Sequence, residues 1–259
     1  MTAYDGALEP GGADFRSFFT WFRKREDLEN EQRRDDPAHT DVALAAVRRA
    51  IEAFTGFHDL RVRRRPLRMT LKKESGEELT VQQLSDGEQC FLALIGDLAR
   101  RLAVLNPHLE NPLEGGGVVM IDEIELHLHP KWQRIILPRL EEIFPNCQFL
   151  VTTHSPQVLS HVRAEDVWVL YPDENGEITA EQPEMTYGVD SSLLLQQVLG
   201  VAERNPEVQR ELDALFRAIE DEDPESARAE LDRMRADYGD LPPLARAEAV
   251  LNRRARAQA

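Results

Sequence analysis

Two continuous apolar runs, Val118–Ile121 and Phe149–Val151, constrain this chain more than any other feature. A strand with one wet face alternates apolar and polar residues, whereas consecutive apolar residues call for cover on both faces. Each run is short and ends in polar residues, and a helical pattern from Pro130 to Ile143 lies between them. A third run, Val167–Leu170, follows a short helix expected after Pro156. The order strand, helix, strand, helix, strand predicts a parallel sheet flanked by helices, with right-handed crossovers. The expected fold class is therefore α/β.

On either side of this centre the pattern changes. The first dozen residues, ending in Pro10-Gly11-Gly12, read as a lead-in. From Ala13 to Arg34, Phe15, Phe18, Phe19, Phe22 and Leu28 recur at helical spacing, and Asp35-Asp36-Pro37 ends that helix. A second helix is expected over 40–54. Leu60 to Val81 is strand-like, with Ser75-Gly76 as a turn, and predicts a hairpin. A helix over 86–105 follows a Ser-Asp start. After Tyr171, Pro-Asp-Glu-Asn-Gly predicts another hairpin. Helices are expected from Ser191 and over 206–220, 224–238 and 244–256, with proline opening the second and third of these. Leu212, Leu215 and Ile219 answer Leu231 and Met234, as in a helical hairpin. The expected organisation is a helical and hairpin region over 1–80, an α/β core over 81–172, and a mostly helical region over 173–259.

Charge narrows the partners. The chain carries 47 acids against 31 bases, a net charge of −16, which repels phosphate backbones at long range. The exception is Arg61, Arg63, Arg64, Arg65, Arg68, Lys72 and Lys73. That cluster reads either as a solvated face of antiparallel strands or as a surface meeting DNA, RNA or an acidic partner. Cys90 and Cys147 sit in apolar contexts and read as buried thiols of a reducing compartment. No run is as long as a membrane span and no opening apolar stretch resembles a signal peptide, so the expectation is a cytoplasmic protein with no membrane partner.

The chemistry lies in three ordered elements: Leu84-Ser85-Asp86-Gly87-Glu88-Gln89, then Val118-Val119-Met120-Ile121-Asp122-Glu123, then Thr152-Thr153-His154-Ser155-Pro156. Each has a plain explanation by itself. Ser85 is a good helix cap, two acids can end any strand, and a lone histidine is commonly structural. Their order, each at a strand or helix end, is what points to a shared site. Here the chain resembles the ATP-binding-cassette ATPases, and specifically their bacterial AAA-type relatives with RecF-like and SMC-like heads. The resemblance is strongest from Val81 to Pro156 and corresponds to the C-terminal portion of such a domain.

That resemblance implies a partial P-loop NTPase fold, with ATP as substrate and Mg²⁺ as cofactor. It makes Asp122 the Walker B residue that holds the metal largely through water, and Glu123 the residue that polarises the attacking water. His154 would be the switch histidine reaching toward the γ-phosphate. Ser85, Asp86, Gly87 and Glu88 would be the signature surface, closing in trans over a nucleotide held by a partner subunit. Asp86 and Glu88 stand where transporter-type cassettes commonly carry Gly and Gln, and an acid there needs Mg²⁺ or a nearby base. The stretch IELHLHPKWQ resembles this branch's linker, where subunits meet. His127 and His129 lack an evident third ligand and read poorly as a metal pair.

A phosphate-gripping G-x-x-x-x-G-K-[ST] loop is not found, and no Gly-Lys pair occurs among the 14 glycines. Three explanations follow: a fragment, a split ATPase completed by another chain, or a degenerate regulatory subunit. Either way, the chain is not expected to hydrolyse ATP alone. Septu-type and retron-associated defence ATPases are the nearest group, and in them the ATPase works with an HNH-type nuclease. The resemblance thus implies an ATPase acting as a homodimer, or paired with a P-loop-bearing chain, whose nucleotide-driven dimerisation controls an anti-phage effector. The alternative is a non-catalytic interaction or regulatory module. A Toprim-bearing nuclease fits less well, because the chain after Asp173-Glu174 reads as helices rather than a further α/β unit with clustered acids.

Overall fold

A computed structural model describes residues 15–202, 204–221 and 223–258. The expected lead-in over the first dozen residues lies outside these. Helix α1 (Phe15–Gln32) buries Phe18 and Phe22. Helix α2 (Val42–Thr55) begins at Asp41, whose carboxylate accepts the Leu44 N–H at 2.9 Å. It ends at Gly56, left-handed at φ 74°.

Three antiparallel strands follow: β1 (His58–Arg64), β2 (Leu67–Lys72) and β3 (Glu78–Thr80). The expected hairpin is thus a three-stranded meander. Arg65-Pro66 turns the chain inside what reads as one long strand, because proline offers no N–H to a ladder. Leu60, Val62, Met69 and Leu71 all point into the core.

Helix α3 (Asp86–Leu105) is the centre of that core, burying Phe91, Leu92, Ile95, Leu98 and Leu102. It crosses α1 closely: a Cβ on Gly96 would lie 2.8 Å from the Phe18 ring.

Strand β4 (Gly117–Ile121), short helices α4 (Pro130–Gln133) and α5 (Ile136–Ile143), and β5 (Cys147–Val151) form the α/β portion. The single helix expected over 130–143 is broken between Gln133 and Ile136. Strands β4 and β5 are parallel neighbours, in register from Gly117 opposite Cys147 to Ile121 opposite Val151. Val119, Ile121, Phe149 and Val151 pack onto the core. The opposite face is open among the described residues: Val118 is 65% exposed, Met120 76% and Leu150 49%. The expected cover on both faces is therefore present on one.

After α6 (Pro156–Leu159), strand β6 (Val169–Pro172) pairs antiparallel with β7 (Ile178–Glu181), not with β5. The third apolar run does not extend the parallel sheet. The Asp173 carboxylate explains why, accepting the N–H groups of Asn175 at 2.8 Å and Glu177 at 2.9 Å. That turn closes a local hairpin, which satisfies the ladder without a distant partner.

Helix α7 (Ser191–Gln197) spans the division between two compact units, which meet in sequence at Leu194 and Leu195. In the second, α8 (Pro206–Glu220), α9 (Pro224–Tyr238) and α10 (Pro242–Gln258) gather Leu212, Leu215, Ile219, Leu231, Met234 and Leu244. The pairing expected of a helical hairpin is present, with α10 as a third member.

The cysteines differ from expectation. Cys90 is exposed and Cys147 half-buried, with burial pushing the Cys147 thiol up. Cys90 falls on the wet side of α3, where apolar neighbours in sequence point elsewhere. No helix among the described residues is long and apolar enough to cross a membrane.

Candidate functional site

The ends of β4 and β5 lie side by side, so Asp122-Glu123 and Thr152-Thr153-His154 leave the sheet together. The ladder continues one step past the strands, with the Thr152 N–H donating to the Ile121 carbonyl at 3.0 Å. The Ile124 N–H returns to the Thr152 carbonyl at 3.1 Å. The Thr152 hydroxyl donates to Asp122 Oδ1 and accepts the Glu123 N–H at 2.8 Å. One side chain thereby fixes both acids. Glu123 is left-handed, at φ 47°, a conformation that costs a non-glycine residue about 1–3 kcal/mol and often marks a functional turn. Asp122, Glu123 and His154 are all exposed.

The start of α3 meets this loop from the other side. A Cβ added to Gly87 would lie 2.6 Å from the His127 carbonyl oxygen, so Gly87 gives close approach within the same chain. Ser85 and Glu88 form a reciprocal capping box. The Ser85 hydroxyl accepts the Glu88 N–H at 3.3 Å, and Glu88 Oε2 accepts the Ser85 N–H at 2.9 Å. The base that an acid at position 88 needs is present, because Lys73 Nζ donates to Glu88 Oε1 at 2.9 Å. Burial pushes the Glu88 carboxyl up, but hydrogen bonds from Lys73 and Ser85 outweigh it and hold the group below its ordinary range. Ser85 and Asp86 are exposed; Gly87 and Glu88 are half-buried.

Sequence reasoning missed three residues at the site. Thr152 is one, quoted as part of a motif but given no role. Lys73 is another, read only as part of the basic cluster. The third is Glu125, whose two oxygens accept the Thr153 hydroxyl and the His154 N–H, each at 2.6 Å. A third carboxylate within four residues of Asp122 is the one signal in the sequence that could have found it. His129 Nδ1 accepts the Lys131 N–H at 3.2 Å and caps α4. No group of three or more His, Cys, Asp or Glu side chains suited to a metal ion occurs among the described residues.

The basic cluster is largely neutralised by the fold. Arg61 and Arg63 pair with Glu78 at 3.3 and 2.9 Å, and Lys72 pairs with Asp59 at 2.9 Å. Arg64 pairs with Glu26 at 2.6 Å and also with Asp27. Arg65 and Arg68 remain outside these ion pairs.

Residues 10–160 match the family described as "AAA domain, putative AbiEii toxin, Type IV TA system". The chain belongs to this family. Among similar proteins, it is 47% identical over 165 residues to "Retron Ec83 probable ATPase" of Escherichia coli, covering 63% of this chain and 30% of that protein. It is 36% identical over 201 residues to "Retron Vc95 probable ATPase" of Vibrio cholerae serotype O1 biovar El Tor, covering 62% and 39%. It is 32% identical over 152 residues to "Septu protein PtuA" of Bacillus mycoides, covering 58% and 21%. The matched segments therefore span well under half the length of these relatives. Among solved structures, the SMC head domain from Thermotoga maritima overlaps 61% of this chain and 52% of its own, at 19% identity and a TM-score of 0.40.

Proposed function

We propose that this chain supplies the Walker B, switch-histidine and signature portion of an ATP-hydrolysing site, and that nucleotide-driven dimerisation there controls an effector in anti-phage defence. The observation that carries the proposal is Thr152 joining Asp122 and Glu123 at the end of β4, one residue before Thr153-His154 on the neighbouring β5 segment. The defence setting rests on likeness to retron ATPases and a Septu protein.

The donor set fits Mg²⁺. Asp122 offers a hard carboxylate oxygen while its other oxygen accepts from the Thr152 hydroxyl, the kind of single-carboxylate donor that Mg²⁺ takes beside waters and phosphate oxygens. When bound, the ion would offset charge on the transferring phosphoryl group. Glu123, its backbone fixed by Thr152, accepts the proton of the attacking water. His154 donates a hydrogen bond to the terminal phosphate oxygens. Ser85, Gly87 and the first N–H groups of α3 face a nucleotide bound by the partner.

Glu123→Gln tests this in an assembly that includes a chain bearing the phosphate-binding loop. The expected result is a loss of turnover of about 10²–10⁴-fold with a closed nucleotide-bound dimer accumulating. Unchanged steady-state turnover removes Glu123 from the role.

A second reading, a non-catalytic module that pairs with another ATPase chain, is favoured by the open apolar face of β4 and β5. Under it, calorimetry on this chain shows no Mg·ATP binding while the partner ATPase still associates. Intrinsic turnover abolished by Glu123→Gln would refute it. The effector, for which an HNH-type nuclease is our candidate, would dock on α8–α10, and the test is whether deleting 206–256 abolishes its association.

A further inference from the structure

We infer that Glu125 is a positioning residue, which holds the Thr153-His154 segment against the loop after β4 and so sets where His154 stands relative to Asp122 and Glu123. The inference rests on the proposed role of His154. Both oxygens of Glu125 are engaged, and both partners come from the segment after β5. Oε2 accepts the Thr153 hydroxyl and Oε1 the His154 N–H, each at 2.6 Å and across 28 and 29 residues of sequence. Hydrogen bonds to an ionised carboxylate are short and roughly twice as strong as neutral ones.

The local backbone directs Glu125 there. Glu123 at φ 47° and His127 at φ 62° are both left-handed, and they turn the loop on either side of it. The loop is also tied at its far end. The Leu128 carbonyl accepts from Gln133 Nε2 at 2.9 Å, and Gln133 Oε1 accepts the Ser155 hydroxyl at 2.8 Å. Two side chains, Glu125 and Gln133, therefore span the same pair of segments, but only Glu125 bonds the backbone of His154 itself. Because the His127 carbonyl lies against Gly87, the loop gripped by Glu125 also touches the start of α3.

Amide hydrogen exchange on the full 259-residue chain without nucleotide tests the grip directly. Glu125→Ala should accelerate exchange of the His154 amide about tenfold or more, while Ile95 and Leu98 in α3 stay protected. Glu125→Gln keeps one acceptor oxygen and should restore much of that protection. Unchanged exchange at His154 in Glu125→Ala, or acceleration shared equally by α3, overturns the inference. Turnover in the assembled enzyme separates this from the reading beneath it. Glu125→Ala should lower kcat with the nucleotide KM within about twofold, and Glu125→Gln should recover part of the loss. If His154→Ala impairs turnover and Glu125→Ala does not, the inference fails alone. If His154→Ala and Glu123→Gln are both silent, the proposed chemistry fails, and exchange still decides whether Glu125 positions the segment.

Discussion

Gly87 stands where no larger residue fits, 2.6 Å from the His127 carbonyl once a Cβ is added. Alanine is intrinsically the better helix former by about 0.8–1.0 kcal/mol. The clash is with backbone, so Gly87→Ala is expected to destabilise by a net of about 1–3 kcal/mol, read by urea unfolding. A gain in stability would show that the loop moves aside freely. One position later, Glu88 gives a pH dependence. Its folded pKa lies below its ordinary 4.5, so its contribution is fully present above about 4.5. That contribution is lost as pH falls through the depressed value. Glu88→Gln keeps the capping oxygen and loses the charge paired with Lys73. The two proteins should differ by about 1 kcal/mol near neutrality and converge as pH falls through the depressed value, the partial exposure of Lys73 keeping the figure small. A difference that persists unchanged at low pH contradicts this account.

At the scale of elements, α1, α2 and β1 are joined by buried charge as well as by Phe18, Phe22, Leu44 and Ile51. Glu29 is 0% exposed, accepts from Arg48 at 3.0 Å and from the Asp41 N–H at 3.0 Å, and forms an ion pair with Arg33 at 3.2 Å. Glu26, 4% exposed, accepts the Val62 N–H at 3.0 Å and also meets Arg48 and Arg64. Removing the Glu29 carboxylate leaves the Asp41 N–H without its acceptor and Arg48 with Glu26, so Glu29→Ala is expected to cost about 1–3 kcal/mol in denaturant unfolding. A loss under about 1 kcal/mol would mean that water replaces the carboxylate. The same network explains Arg64 of β1. Part of the basic cluster reads as a surface in sequence because its counter-ions, Glu26 and Asp27, lie more than thirty residues away on α1.

The chain divides into two compact units, Met1–Leu194 and Leu195–Ala259, whose stabilities are expected to be separable. Leu215 is 0% exposed among the helices of the second unit. Leu215→Ala should destabilise that unit by about 2–5 kcal/mol while exchange protection of α3 in the first is unchanged. Simultaneous loss in both would show a single cooperative domain. The outer face of β4 and β5 gives the complementary expectation. Met120→Lys replaces a side chain 76% exposed, so the chain's own unfolding should move by no more than about 0.5 kcal/mol. Co-purification with a P-loop-bearing ATPase chain should be lost if that face is where the partner packs, and retained association would place the contact elsewhere.

Local chemistry made a large part of this protein legible from its sequence alone. Proline-opened helices, the Ser85 cap, the turn at Asp173 and the acids ending β4 all depend on neighbours within a few residues. Periodicity likewise marked Phe18 and Phe22 of α1 and the buried face of α8, though Leu28 in the same α1 series is 51% exposed, and the α/β class followed from apolar strands alternating with helices. Partnership across long sequence distances was decided only by the tertiary structure. It paired β6 with β7 instead of β5, turned the chain at Arg65-Pro66, and left one face of the parallel pair open. It also gave Arg64 its acids and Glu125 its donors. The physical reason is common to all of these: a hydrogen bond or ion pair is specified by which groups meet in space, and pattern along the chain records only which groups are available to meet.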